Sequence, residues 1–100
     1  MLKFNSPDKT RANELKALFF IEKNLLADAE EILIGNLKSQ TESPLTYDLL
    51  IGIYERTRNY PLLISVLNSG IRRTAKRKFY RKLKKQIIIS KLREDISSVN

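Results

Sequence analysis

The chain contains no cysteine and no histidine, and only three glycines and three prolines. Without cysteine there is no disulfide framework and no thiolate metal ligand, and without histidine there is no imidazole base. The scarcity of glycine and proline indicates short loops and favours helix. No run approaches the roughly 20 apolar residues that span a membrane, and the first ten residues lack the apolar core of a signal peptide. We therefore expect a cytoplasmic protein without metal or cofactor.

The remaining residue types do not assemble into a catalytic pattern. The acidic pairs Glu30-Glu31 and Glu94-Asp95 are sequence neighbours, whose side chains point in different directions on a helix. The three glycines are far apart and form no phosphate-binding loop. Neither Ser65 nor Ser90 has a nearby base in the sequence. We expect a binding protein and not an enzyme.

Positive charge is in excess and unevenly distributed. The chain has 19 Lys and Arg against 11 Asp and Glu, a net charge of +8. Residues 72–85 contain no acidic residue and nine cations, namely Arg72, Arg73, Lys76, Arg77, Lys78, Arg81, Lys82, Lys84 and Lys85. Such a basic amphipathic segment fits a solvated outer face, an acidic protein partner, nucleic-acid phosphates or an anionic membrane surface. The sequence leaves these four interpretations open.

A repeat of 34 residues organises the apolar positions. Residues 45–71 predict two short amphipathic helices with a corner at residues 58–61. Residues 15–37 align with them at a constant offset of 34, so that large residues coincide: Phe20 with Tyr54, Leu26 with Tyr60, Ile32 with Val66, Leu33 with Leu67 and Leu37 with Ile71. A period of this length indicates one helical hairpin used twice.

The pattern predicts a single domain over 1–100 made of five helices. Hairpin 1 covers 7–39 with helices at 7–23 and 26–39, hairpin 2 covers 44–70 with helices at 44–57 and 61–68, and a basic capping helix covers 74–96. Ser6-Pro7-Asp8 and Ser43-Pro44 are helix-start signals. Their separation of 37 residues predicts a linker about three residues longer than a strict 34-residue repeat requires. Gly70 is either a C-terminal cap or a close-packing position inside a longer helix.

These spacings resemble the tetratricopeptide repeat family. In the second hairpin the family's large positions hold Tyr47, Leu50, Tyr54, Tyr60 and Leu67, and Gly70 holds its last small position. In the first hairpin the matching residues are Phe20, Leu26, Leu33, Ala17 and Ala29. The departures are Ile51 and Leu63 at small positions, Asn13 and Lys16 at large ones, and Asn36 where alanine is usual.

The resemblance implies an all-α protein of two stacked antiparallel hairpins and a capping helix, with a shallow face that accepts a helix or peptide of another protein. The expected partner-binding residues are Phe19, Tyr47, Tyr54 and Tyr60, with Tyr47 and Tyr60 at a wet edge. An adaptor or small chaperone is the function this implies. Small proteins of this family include co-chaperones that shield subunits of bacterial secretion needles. Because two repeats form a small core, a homo- or hetero-oligomer is also expected.

Two other interpretations use the same residues. Residues 46–51 with Tyr54 resemble the first helix of a pentatricopeptide repeat, an RNA-reading unit, although the predicted fourth helix is a turn too short. Separately, the basic helix favours a nucleic-acid-binding accessory protein or a ribonucleoprotein subunit, with Phe79 and Tyr80 stacking on bases. Against that, the helical pattern places Phe79 and Leu83 in the core. Residues 87–89 are three isoleucines that cannot all face one groove, so at least one serves another surface.

Overall fold

Helices make up almost all of the described chain. A computed structural model describes residues 9–97, and within that range it contains five helices and no strand. They are α1 (Thr10–Glu22), α2 (Leu26–Lys38), α3 (Pro44–Arg56), α4 (Tyr60–Arg73) and α5 (Arg77–Ser97). Helix α1 packs against α2, α3 against α4, α2 against α3, and α5 against α4. The predicted all-α arrangement of two helical hairpins and a final helix is confirmed.

The 34-residue period is visible in the helix bounds. Helices α1 and α3 begin at Thr10 and Pro44, and helices α2 and α4 begin at Leu26 and Tyr60, so both offsets are 34. The predicted longer linker is therefore wrong. That prediction used the start signal at residues 6–8, which lies outside the described residues.

Three of the four connections between the helices turn in the same way. Asn24, Gln40 and Arg58 have φ values of 62°, 59° and 56°, in the left-handed region. The amide after each of them bonds back across the helix end, as Leu25 N does to Phe20 O at 2.8 Å and Asn59 N to Tyr54 O at 2.9 Å. This pairing is the Schellman motif, which satisfies the last carbonyls of a helix. A non-glycine residue fills the left-handed position every time, so these corners are hard to recognise from glycine content.

Helix α4 does not end where the sequence pattern predicts. It was expected to stop at Asn68, but it continues through Gly70 to Arg73. No glycine in the described chain has positive φ, so Gly70 is the close-packing residue of the two alternatives. A Cβ at Gly70 would lie 2.9 Å from Cδ2 of Tyr80 on α5. Since α4 has 14 residues, the argument that it is too short for a pentatricopeptide unit also fails.

The chain breaks between α4 and α5 at Thr74. Its hydroxyl donates to the carbonyl of Gly70 at 2.8 Å and accepts from the amide of Lys76 at 3.1 Å. These two bonds end α4 and hold the turn before α5, which therefore begins at Arg77 and not at Thr74. Serine and threonine hydroxyls favour such local turns over a continuing helix.

A buried polar network joins the two hairpins. The Asn36 amide donates to Thr46 Oγ1 at 2.9 Å and to the Thr10 carbonyl at 3.2 Å, and its oxygen accepts from Asn13 at 2.9 Å. Thr46 in turn donates to Glu14 Oε2 at 2.7 Å, and Ser43 donates to the same oxygen at 2.6 Å. Asn13 and Asn36, which depart from the tetratricopeptide pattern, are thus joined by a hydrogen bond. No buried side-chain polar atom in the described chain lacks a partner.

The apolar core runs between the hairpins and under α5. Its fully buried members include Leu33, Leu50 and Leu67, each of which contributes on the order of 2 kcal/mol by leaving water. Tyr80 anchors α5 to the second hairpin, since its ring is fully buried and its hydroxyl donates to Asp48 at 2.7 Å. The described chain is elongated, with extents of 61 × 30 × 16 Å. Its first and last helices therefore keep open outer faces.

Candidate protein-binding surface

Two of the four predicted partner-binding aromatics are buried. Tyr47 is 0% exposed and its hydroxyl donates to the Thr41 carbonyl at 2.7 Å, so the prediction that it lies at a wet edge is wrong. Tyr54 is 3% exposed and donates to Glu30 at 2.7 Å. Burial raises the pKa of both phenols above its ordinary value, and the Glu30 carboxylate raises that of Tyr54 further. Because each hydroxyl has an internal acceptor, neither side chain needs a wet edge.

The other two predicted aromatics lie on different surfaces. Phe19 is 55% exposed on α1, where its ring meets Phe20 edge-on at 5.8 Å and lies 5.5 Å from Lys23 Nζ. Tyr60 is half-buried at the start of α4, with Lys91 Nζ 5.0 Å from its ring centroid. Helix α1 does not pack against α4 or α5 within residues 9–97. The four aromatics therefore do not form one groove.

Helix α1 carries an apolar outer face. Leu15, Leu18 and Phe19 follow the three- and four-residue spacing of one helix side and are 54%, 41% and 55% exposed. The opposite side buries Ala17 against the second helix and places Glu14 in the polar network. We call these three residues the α1 apolar face. Scattered exposed leucines are common, but a contiguous set on a terminal helix is a feature of interaction surfaces.

The nine predicted basic residues divide into two groups. Four of them have partners within the chain: Arg72 donates to Ser69, Arg73 to Gln40, Lys76 to Asp48 and Lys84 to Asn68. The other five are exposed and have no hydrogen bond or ion pair to any residue between 9 and 97. They are Arg77, Lys78, Arg81, Lys82 and Lys85, and we call them the α5 cationic face. A search by sequence alone treats all nine alike.

The second half of α5 carries exposed aliphatic residues. Ile88, Ile89, Leu92 and Ile96 are 41%, 42%, 55% and 68% exposed, and we call them the α5 apolar face. Ile87 is the one isoleucine of residues 87–89 that is buried. Beside this face, Tyr60, Ile64, Ile87 and Leu92 line an apolar cavity of about 120 Å³ between α4 and α5. The sequence pattern predicts that these residues lie on the helix. It does not distinguish the side of the helix that packs on α4 from the side that faces outward.

The aromatic pair on the basic helix is divided between core and surface. Tyr80 is fully buried and bonded to Asp48, so the prediction that it stacks on bases is wrong. Phe79 is 52% exposed, so its predicted place in the core is wrong, whereas Leu83 does pack against the core. The Phe79 ring lies against Tyr80 at 5.6 Å and against Lys76 Nζ at 4.6 Å. One aromatic side chain is thus available beside the α5 cationic face.

The acidic side chains of the described residues form no metal-binding cluster. Between residues 9 and 97 there is no group of three Asp or Glu side chains that would hold a metal ion. The most buried carboxylate, Glu14, already accepts two hydroxyl hydrogen bonds. Asp48 likewise accepts from Tyr80 and Lys76. These carboxylates are structural acceptors.

Comparison of the chain with protein-family models, with curated proteins and with solved structures gives no match. The tetratricopeptide resemblance therefore stays a prediction, and a function for this chain must be inferred from the geometry of its surface. No helix within residues 9–97 combines the length and the apolar character needed to cross a membrane.

Proposed function

We propose that this chain is a non-catalytic protein-binding module that acts as an adaptor or small chaperone. The observation that carries the proposal is the pair of exposed apolar faces on the first and last helices. The buried side-chain polar atoms of the described chain all have a hydrogen-bond partner. Exposed apolar clusters on an otherwise satisfied protein are typical of surfaces that another protein covers.

The secretion-type co-chaperone implied by the resemblance is one form of this function. A chaperone of that class shields an aggregation-prone subunit by covering its apolar surface. The exposed aliphatic residues Leu15, Leu92 and Ile96 are of the type such a role requires. The expected client has an amphipathic segment whose apolar side is exposed when the client is free.

A nucleic-acid-binding accessory function is the second candidate. It is favoured by the five exposed, unpaired cations of the α5 cationic face, which would neutralise phosphates and release counterions. It is disfavoured by the burial of Tyr80, which leaves Phe79 as the stacking residue of this region. Nucleic-acid binding also leaves the α5 apolar face without a role.

Affinity capture from extracts of the native host distinguishes the two functions. The tagged chain is incubated at two salt concentrations, with and without nuclease, and bound material is identified by mass spectrometry. We expect a stoichiometric protein partner that survives nuclease. Loss of every partner after nuclease treatment, together with a steep fall of binding with salt, would assign the function to the cationic face and nucleic acid.

A further inference from the structure

The cationic and apolar faces of α5 form one continuous surface. At about 100° per residue, all nine of their side chains fall within an arc of about 140°. These residues are Arg77, Lys78, Arg81, Lys82, Lys85, Ile88, Ile89, Leu92 and Ile96. The opposite side of the helix holds Tyr80 and Ile87, which are buried against the rest of the protein. Along this outer surface the cations come first and the aliphatic residues follow, with the exposed Asp95 at the edge of the aliphatic half, paired with Lys91.

We propose that this surface docks an amphipathic helix of another protein, with acidic residues along one half and apolar residues along the other. The proposal rests on the protein-binding function proposed above and names the chemistry of the partner. The acidic half lies along Arg77 to Lys85, and the apolar half lies along Ile88 to Ile96. With a rise of 1.5 Å per residue, the surface is about 29 Å long and matches a partner helix of about 20 residues.

Charge complementarity identifies the occupant. The cationic half presents five unpaired positive charges, and residues 72–85 contain no acidic side chain to compensate them. A second copy seated face to face would oppose cations with cations if the two helices ran parallel, and cations with aliphatic residues if they ran antiparallel, on a chain of net charge +8. An acidic partner is instead attracted to these cations, and this attraction increases the rate at which it associates with α5. The charges therefore favour a different, acidic protein over a homodimer at this surface.

The aliphatic half explains why the partner is a protein helix. Leu92 and Ile96 have no aromatic ring that could stack on bases. Their exposed apolar area stabilises a complex in which a partner removes it from water. The open residues recur every three or four positions, which is the spacing that a second helix meets when side-chain ridges pack into grooves. An extended strand, with its two-residue period, does not match this row.

The test uses designed peptides of about 20 residues on the full-length chain. One peptide has glutamates on the contact side of its first half and leucines on that of its second half, and another has the reverse order. A scrambled peptide of the same composition tests whether the order of the residues matters. A peptide with lysine in place of glutamate tests whether the negative charge matters. Binding is followed by fluorescence anisotropy of the labelled peptide. We expect one of the two ordered peptides to bind more tightly than the scrambled peptide, and the lysine peptide not to bind.

Two pairs of matched variants locate the site. Lys78→Glu with Lys82→Glu should weaken binding by about tenfold, because two exposed ion pairs are lost and replaced by like-charge contacts. Arg11→Glu with Lys16→Glu on α1 makes the same change in net charge at exposed positions and should leave binding unchanged. Leu92→Ala should weaken binding several-fold, while Leu15→Ala, at 54% exposure against 55% for Leu92, should not.

Equal binding of ordered and scrambled peptides, or equal effects of the two members of either variant pair, would overturn the proposal. Tighter binding to vesicles of phosphatidylserine and phosphatidylcholine than to any peptide, lost in the α5 variants, would overturn it in favour of a membrane surface. The proposed protein-binding function can hold even if this docking site is wrong. A nuclease-resistant partner that is captured equally by the wild type and the α5 variants keeps that function and rejects this site.

Discussion

Replacing Gly70 by alanine should destabilise the protein, although the same change usually stabilises a helix. The new Cβ would lie 2.9 Å from Cδ2 and 3.0 Å from Cε2 of Tyr80, well inside the roughly 3.5–4.0 Å that carbon atoms prefer. The ring has no room to withdraw, because it is fully buried and its hydroxyl bonds Asp48 at 2.7 Å and the Pro44 carbonyl at 3.1 Å. The clash must therefore be relieved by moving α5 away from α4.

The magnitude follows from two opposing effects. Overpacking of this kind costs about 1–3 kcal/mol, and alanine regains about 1 kcal/mol of helix propensity over glycine. We expect a net loss of about 1 kcal/mol in the free energy of unfolding for Gly70→Ala. Gly52 and Gly35 are the matched controls, since a Cβ at either position meets nothing within 4 Å. Each control should gain about 1 kcal/mol.

Urea unfolding followed by far-ultraviolet circular dichroism measures these differences. At equal slope, the midpoint of Gly70→Ala should fall below that of the wild type, and the midpoints of Gly52→Ala and Gly35→Ala should rise above it. If Gly70→Ala raises the midpoint as much as Gly52→Ala does, Tyr80 does not pack on α4 as described, and the docking of α5 must be reconsidered.

The polar network and the buried tyrosines give further predictions. Asn36→Ala should lower the free energy of unfolding by about 2 kcal/mol, since three hydrogen bonds are lost against a small gain in helix propensity, whereas Asn68→Ala, which loses one bond from Lys84, should be nearly neutral. Chemical denaturation of both variants checks this, and a more stable Asn36→Ala protein would contradict it. Burial raises the pKa of Tyr47, Tyr54 and Tyr80 above 10.0 in the folded state, so they remain protonated there while the unfolded chain ionises. Stability should therefore be intact below about pH 10 and fall above it, by at most about 1.4 kcal/mol per pH unit for each tyrosine, which an alkaline series of denaturation curves measures. Stability that is constant through this range would contradict the burial of the three phenols.

Local sequence signals were sufficient for the repeat and for most helix bounds. The 34-residue offset of Phe20 with Tyr54 and of Leu26 with Tyr60 is reproduced by helices that begin at that offset. The late end of α4 has a tertiary cause. Gly70 continues a helix because the Tyr80 ring needs the space of its missing side chain, and nothing within the α4 sequence signals this.

The site was harder to predict than the fold. Aromatic type alone does not distinguish a tyrosine at a wet edge from one that donates to an internal acceptor, such as Tyr47 to the Thr41 carbonyl. Asn36, a departure from the tetratricopeptide pattern, is explained by its hydrogen bonds with Asn13 and Thr46, which the local sequence does not reveal. The open side of α5 also depends on how the helix is rotated on α4. That rotation is set by the docking of Tyr80 and Ile87.

If exposed apolar residues form the partner-binding surface, variants of each apolar face should change the capture of the partner. Nuclease-treated host extract is applied to the wild type, to Leu15→Ser with Leu18→Ser, and to Leu92→Ser with Ile96→Ser. All four residues are more than 40% exposed, so both variants should stay folded by circular dichroism. We expect a protein partner that the wild type retains and that at least one variant loses. A partner retained equally by all three proteins would contradict it.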